Sequence, residues 1–212
     1  MQNTKIHAPR WALSFLLAMV FRAGTAVNAA DRQELHLALN QQFLSYSQKA
    51  ATDSKRHAAT DMPDFKLNRL YEEHGMQPFW ISPEGPLPRA ATLREVLRAA
   101  EEQGLNPAKY NSEEIEHLWS NHDAASLSQL EFLLTLSLRH YLSDLTKGRP
   151  FPEGPGLEVL RLAHSNDLDI EPLLRQALVA EDLKAFLEQQ TPPFEQYQRL
   201  REKLMDYRKI AA

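Results

Sequence analysis

The chain has 212 residues, of which 28 are acidic and 24 basic, and its formal net charge at pH 7 is −4. A surface with this balance argues against nucleic-acid binding, which requires clustered lysine and arginine. The sequence contains no cysteine. This excludes mechanisms that use a thiol nucleophile and metal sites that use thiolate ligands.

The first thirty residues predict export. Two basic side chains and no acidic one lie in residues 1–10, an apolar run covers residues 11–21, and small residues dominate residues 23–30. This order is typical of a secretory signal peptide. The apolar run is too short for a permanent membrane span, which needs roughly 20 residues. We therefore predict that residues 1–29 are a signal peptide, cleaved after Ala29.

Export predicts a periplasmic protein with no stable membrane insertion after signal cleavage. Cleavage after Ala30 is a near alternative, and an uncleaved anchor or an amphipathic first helix is another interpretation of the same residues. Without residues 1–29 the chain has 21 basic and 28 acidic side chains, a net charge of −7. Such a surface gives no reason to expect adhesion to anionic lipid.

Apolar residues recur at spacings of three and four along nearly the whole chain, which is the period of an amphipathic helix. We predict an all-α fold: an irregular bundle of about eight helices with one extended segment rich in proline and aromatic residues. Residues 30–63 are predicted to form an N-terminal helix, over about 31–51, followed by a mobile connection at 52–63. Residues 64–212 are predicted to form the main helical domain.

Start and stop signals place the helices in the first part of this domain. A short helix is predicted from about 65 to 74, followed by the extended segment, which includes Phe79 and Trp80. Three helices are predicted to begin at pairs of capping residues three positions apart. These pairs are Thr92 with Glu95, Asn111 with Glu114, and Ser126 with Gln129. Gly75, Gly104 and Gly148 are predicted to end helices.

The helix that follows Ser126 has the strongest pattern in the chain. Its apolar stripe comprises Leu127, Leu130, Leu134, Leu138, Tyr141 and Leu145. Weaker helical patterns cover residues 157–164, 169–179 and 181–189. The chain is then interrupted by Pro192 and Pro193, and a final helix is predicted from 194 to 210.

Motifs for familiar chemistry are missing from the sequence. It contains no Gly-x-Ser-x-Gly, no Ser-x-x-Lys, no phosphate-binding glycine loop and no His-Glu-x-x-His. His117, His122 and Asp123 could contribute to a metal site, but a spacing of five places the two histidines on different helix faces. The adjacent glutamate pairs, such as Glu72 and Glu73, fit exposed helix surfaces. We predict no catalytic residue, no cofactor and no metal.

Four stretches in a fixed order resemble a known family. They are residues 70–80, residues 104–110, residues 133–149 and residues 192–207. Together they resemble the helical scaffold domain of the large periplasmic L,D-transpeptidases, which cross-link peptidoglycan. The motif residues, for which the resemblance implies structural or partner-binding roles, are Tyr71, Pro78, Trp80, Gly104, Leu105, Pro107, Tyr110, Tyr141, Asp144, Gly148, Arg149 and Tyr197.

Two departures from that family affect the expected function. The family's peptidoglycan-binding and catalytic domains are not recognisable here, and the catalytic cysteine after Ser/Thr-His-Gly is absent. Within the scaffold, Glu131 stands where the resemblance implies aspartate. Asp144 and Arg149 are expected to pair around Gly148.

The resemblance and the missing cysteine together imply an exported, non-catalytic scaffold-like protein of the cell envelope. Its expected partner is peptidoglycan or a cell-wall cross-linking enzyme. One alternative is an accessory subunit for a separately encoded L,D-transpeptidase catalytic domain. The sequence is also compatible with a peptidoglycan hydrolase that uses carboxylates and with a degenerate remnant of a longer enzyme.

Overall fold

A computed structural model describes residues 29–48, 64–147 and 169–211. Several sequence predictions lie outside these residues. They are the signal peptide before residue 29, the connection at 52–63, the helix at 157–164, and the motif residues Gly148 and Arg149.

The described residues form eight α-helices, two 3-10 helices and one two-stranded hairpin, which confirms the all-α prediction. In chain order the elements are α1 (residues 29–48), α2 (Asp64–Glu73), β1 (Ile81–Ser82), β2 (Gly85–Pro86), α3 (Pro88–Arg98), a first 3-10 helix (Ala99–Gln103), a second 3-10 helix (Pro107–Tyr110), α4 (Ser112–Leu118), α5 (Ala124–Lys147), α6 (Glu171–Val179), α7 (Leu183–Gln189) and α8 (Glu195–Ala211). None of the helices in the described ranges is long and apolar enough to span a membrane.

Helix α5 is the central element of the core. It contacts α3, α4, α6 and the second 3-10 helix. The apolar stripe predicted for this helix is buried along its whole length, from Leu127 to Leu145. Because apolar side chains removed from water supply most of the favourable free energy of folding, this stripe organises the bundle.

Helix α1 packs on the core through part of its predicted apolar face. Leu35, Leu39 and Phe43 are buried, whereas Leu37 and Leu44 are exposed. The Phe43 ring lies 4.3 Å from that of Tyr71, between centroids, and 5.5 Å from that of Phe132. Aromatic contacts therefore join α1 to α2 and α5.

The segment after α2 is a small hairpin. Phe79 and Trp80 are buried, as their size predicts. Strands β1 and β2 pair antiparallel with Ile81 opposite Pro86. The sequence pattern predicted an extended segment here, with at most one short strand. The second strand contains a proline, which reduces strand propensity and hid it from the sequence pattern.

The predicted capping box at the start of α3 is wrong. The helix begins at Pro88, and the Thr92 hydroxyl donates to the Pro88 carbonyl, so Thr92 already lies within the helix. Proline is well suited to the first helical position because its φ is fixed and no hydrogen bond to its nitrogen is needed there. This proline, rather than the threonine, is the start signal.

The predicted cap of α5 is also misplaced, by a few residues. The helix begins at Ala124, and the Asp123 carboxylate accepts a hydrogen bond from the Ser126 amide at 2.9 Å.

Asn111 precedes α4 as predicted, but its side chain makes no capping bond. It donates instead to the Ser137 hydroxyl at 3.1 Å, which joins α4 to α5.

The predicted helices of the C-terminal part are confirmed to within a few residues. Helices α6, α7 and α8 correspond to the patterns at 169–179, 181–189 and 194–210. Helix α8 lies against the first 3-10 helix. Gly75 and Gly104 follow their helices with φ of +66° and +71°, as predicted.

Candidate functional site

The motif residues within the described ranges fall into two clusters. Tyr71 and Trp80 bond to Glu131 of α5, and Pro78 directly precedes Phe79, whose amide bonds to the same carboxyl group. The second cluster surrounds the end of α3 and comprises Gly104, Leu105, Pro107, Tyr110, Tyr141, Asp144 and Tyr197.

Glu131 is the centre of the first cluster. Its Oε1 accepts hydrogen bonds from the Tyr71 hydroxyl at 2.6 Å and from the Phe79 amide at 2.7 Å. Its Oε2 accepts a bond from the Trp80 amide at 2.9 Å. One carboxyl group on α5 thus holds α2 and the segment before β1.

A threonine completes this network. Thr135 accepts from the Trp80 indole nitrogen at 2.8 Å and lies 2.6 Å from the Tyr71 hydroxyl. The Thr135 hydroxyl also donates to the Glu131 carbonyl at 3.1 Å, and all four residues of the network are fully buried. Buried polar groups of this kind are satisfied by one another, and such a network specifies how the helices pack.

Burial raises the pKa of Glu131 to about 7, although hydrogen bonds from Tyr71 and from the backbone act in the opposite direction. A raised carboxyl pKa is common among catalytic acids. Glu131 is fully buried, however, and a general acid must reach the proton acceptor of a substrate. The arrangement is therefore that of a structural carboxyl group.

The organising role of Glu131 was not predicted from the sequence. The resemblance indicated only that glutamate replaces an expected aspartate. A signal was nevertheless present, because an acidic residue interrupts an otherwise apolar stretch of α5 between Leu130 and Phe132. Charged residues are almost never fully buried unless they are paired or hydrogen-bonded.

The second cluster closes the end of α3. At Gly104 the chain turns with φ of +71°, and the Leu105 amide donates to the Ala100 carbonyl at 3.1 Å. The buried Tyr110 donates to the Asp144 carboxylate at 2.8 Å. Asp144 was expected to pair with Arg149, which lies outside the described residues. Its partner here is Tyr110.

A groove opens beside this second cluster, between α3, the first 3-10 helix, α7 and α8. Its volume is about 280 Å³. Val96, Ala99 and Leu187 provide its apolar lining. The polar lining residues are Thr92, Glu95, Glu102, Gln103, Tyr141, Lys184, Glu188 and Arg201. The Tyr197 hydroxyl donates to the Gln103 side chain at 2.7 Å and fixes α8 beside this groove.

The histidine and glutamate residues considered as metal ligands or as paired carboxyl groups do not form one site in the described part of the chain. His122 Nδ1 lies 3.0 Å from the Glu84 carbonyl oxygen, and His117 lies in the last turn of α4. Within the described ranges no group of three potential ligands is close enough to hold a metal ion. The paired glutamates, including Glu72 and Glu73, lie on exposed helix surfaces as predicted.

Comparison with protein families bears on this arrangement. A family model with the description "Scaffold domain" matches residues 66–204, which are well over half of the chain. The chain belongs to the scaffold domain family. This agrees with the resemblance to the scaffold domain of L,D-transpeptidases. No curated protein and no solved structure gives a significant match.

The match to the scaffold domain family spans both motif clusters and supports a non-catalytic scaffold role in general terms. The geometry agrees with such a role, because most motif residues hold helices together. Tyr141 differs from the others, since it lies both in the core and at the base of the groove.

Proposed function

We propose that this scaffold domain is an exported, non-catalytic module of the cell envelope that associates with peptidoglycan in the periplasm. The observation that carries the proposal is the family match over residues 66–204 in a chain that has no cysteine. The described scaffold supplies no thiol nucleophile, and we propose binding and positioning as its roles.

The distribution of functional groups supports a binding role. Among the described residues, the carboxyl group with a strongly raised pKa, that of Glu131, is sealed in the core. The paired glutamates lie on exposed helix surfaces, whereas glycoside hydrolysis requires two carboxyl groups about 5–10 Å apart across a sugar. The groove beside α8 offers hydrogen-bonding and charged groups on an apolar base, as small-molecule sites do.

Co-sedimentation with purified sacculi tests this proposal. The protein is expected to pellet with the sacculi and to remain in the supernatant without them. Added salt should not abolish the association, because the surface is acidic and salt screens the repulsion between this surface and an anionic wall. A protein that stays in the supernatant at all ratios of sacculus to protein would contradict the proposal.

An accessory subunit is a second candidate, and an exposed apolar stripe on α8 favours it. Leu200, Tyr207 and Ile210 are 70%, 71% and 81% exposed. Exposed apolar patches commonly mark interaction surfaces. Mixing the protein with a purified L,D-transpeptidase catalytic domain should then give a complex on size-exclusion chromatography, and Leu200→Glu should abolish it.

A further inference from the structure

The base of the groove is formed by a tyrosine held in a fixed position. Tyr141 is only 4% exposed, and its ring packs edge-on against Tyr110 with centroids 5.6 Å apart. No residue in the described ranges forms a hydrogen bond with its hydroxyl. The hydroxyl is not among the buried side-chain atoms that lack a partner, so it lies open to the groove. An unpartnered hydroxyl at the base of an open groove is therefore a group available to a ligand.

Charges of both signs surround that hydroxyl. Burial raises the pKa of Tyr141 to about 12, Glu102 and Glu188 contribute in the same direction, and Arg201 acts against them. All three charged residues line the groove together with Lys184. The tyrosine thus lies between carboxylates and cations.

These charges are largely uncommitted. Arg201 and Glu102 approach only to 4.0 Å. Among the residues that the structure describes, neither Lys184 nor Glu188 forms an ion pair, although the two lie four positions apart on α7. Such side chains keep their hydration and remain free to bind a ligand of opposite charge.

We propose that this groove binds a short peptide that carries both a free ammonium group and a free carboxylate. Glu102 and Glu188 bind the ammonium group, Arg201 and Lys184 bind the carboxylate, and the Tyr141 hydroxyl bonds to a peptide polar group. Val96 and Leu187 contact the small apolar side chains. The inference rests on the proposed function, because it takes the peptides of the wall, rather than its glycan, as the source of this ligand.

The size and chemistry of the groove select this class of ligand. A volume of about 280 Å³ lies near the lower end of ligand pockets and suits a fragment of about two residues. A neutral sugar would leave the uncommitted cations and carboxylates without counter-charges. A purely anionic ligand would pair with Arg201 and Lys184, but it would leave Glu95, Glu102 and Glu188 without a counter-charge and close to its own negative charge.

Titration with the dipeptide alanyl-alanine tests the ligand class. Chemical shifts of groove residues in the full chain are followed by NMR, and N-acetyl-alanyl-alanine and alanyl-alanine amide serve as probes that each lack one charge. Each of these analogues is expected to bind about tenfold more weakly, because a charge-assisted hydrogen bond is lost. Equal binding of all three probes, or shifts outside the groove only, would overturn the proposal.

Matched variants locate the site. Glu188→Gln is expected to weaken alanyl-alanine binding about fivefold, whereas Glu202→Gln, on the exposed side of α8, should leave it unchanged. Tyr141→Phe removes the unpartnered hydroxyl and should also weaken binding while preserving the circular dichroism spectrum. If Glu188→Gln and Tyr141→Phe bind the dipeptide as the unmodified protein does, the groove is not the site.

Sacculus sedimentation separates this inference from the proposed function. If the unmodified protein pellets and the double variant Tyr141→Phe/Glu188→Gln pellets less, both are supported. If both proteins pellet equally, wall association stands and the groove assignment is overturned. If the unmodified protein binds alanyl-alanine with the expected charge dependence but does not pellet, the groove is supported and its peptide comes from another source. If it neither pellets nor binds the dipeptide, both fail.

Discussion

At the scale of single residues, Glu131 determines how α2 and the hairpin dock on α5. Its carboxyl group accepts hydrogen bonds from two backbone amides and one hydroxyl, and the whole side chain is buried. A buried donor that loses its acceptor costs more than an ordinary hydrogen bond contributes. The residue is therefore critical for stability.

Replacement of Glu131 by alanine should lower the free energy of unfolding by about 3–5 kcal/mol, because two buried amides lose their acceptor and a cavity forms. Glu131→Gln keeps one acceptor oxygen and should cost less, about 1–3 kcal/mol. Urea unfolding followed by circular dichroism measures both. Glu113→Ala, on the exposed surface of α4, is the control, and a Glu131→Ala protein as stable as that control would contradict the assignment.

The same residue makes stability depend on pH. The folded-state pKa of Glu131 is raised to about 7, chiefly by burial, from an ordinary value of 4.5. Between these values the folded protein binds more protons than the unfolded chain. The contribution of Glu131 is thus fully present below pH 4.5 and is lost as the pH rises through 7.

Urea unfolding of the unmodified protein and of Glu131→Gln at about pH 4.5 and about pH 8 measures this effect. The stability of the unmodified protein relative to the variant should fall by up to about 3 kcal/mol over this range. Glutamine does not titrate, so the contributions of all remaining groups cancel in the difference. A difference that is constant with pH would show that the Glu131 carboxyl group titrates normally.

Residue types explain which parts of the candidate site could be predicted. Large aromatic side chains seek burial, and the motif residues Tyr71 and Trp80 are both fully buried. The partner of Asp144 could not be predicted, because Tyr110 is distant in sequence and Arg149 offered a simpler pair nearby along the chain. Sequence spacing does not reveal such long-range contacts.

At the scale of elements, helix interiors were predictable and their first residues were not. The period of apolar residues follows from one buried face and persists over many turns, as in α5. A cap depends on the geometry of one turn. Thr92 and Asp123 illustrate this, since the threonine lies inside α3 and the aspartate caps α5.

The hairpin between α2 and α3 depends on one close approach. Gly85 has φ of +131°, and a Cβ at this position would lie 2.8 Å from His122 Cε1. The His122 ring is held by its contact with the Glu84 carbonyl oxygen. Glycine at 85 is therefore required both by the backbone conformation and by the adjacent ring.

Gly85→Ala should destabilise the protein by about 2–3 kcal/mol, from backbone strain and from displacement of the ring. Adding His122→Ala removes the clash but not the strain, so the double variant should be about 1 kcal/mol more stable than additivity predicts. A double-mutant cycle by urea unfolding measures this coupling. Gly104→Ala, which makes only an ordinary contact with Leu204, should be additive with His122→Ala, and additivity in the Gly85 cycle would refute the close approach.

At the scale of the whole molecule, the fold class and the helix order were predictable from sequence, whereas the groove was not. Periodicity fixes which face of each helix is buried, and the predicted all-α bundle is confirmed. The groove arises where α3, α7 and α8 meet the first 3-10 helix, and its lining residues are spread over about 110 positions of the chain. Only the packed structure brings Tyr141, Glu188 and Arg201 together.

The proposed function is binding to the wall without chemistry on it, and its main support is membership of the scaffold family. The most direct measurement is incubation of the purified protein with sacculi, followed by separation of the pellet and chromatography of its muropeptides. The protein is predicted to appear in the pellet while the muropeptide profile matches that of untreated sacculi. New cross-linked or cleaved muropeptides, or a pellet without the protein, would contradict the account.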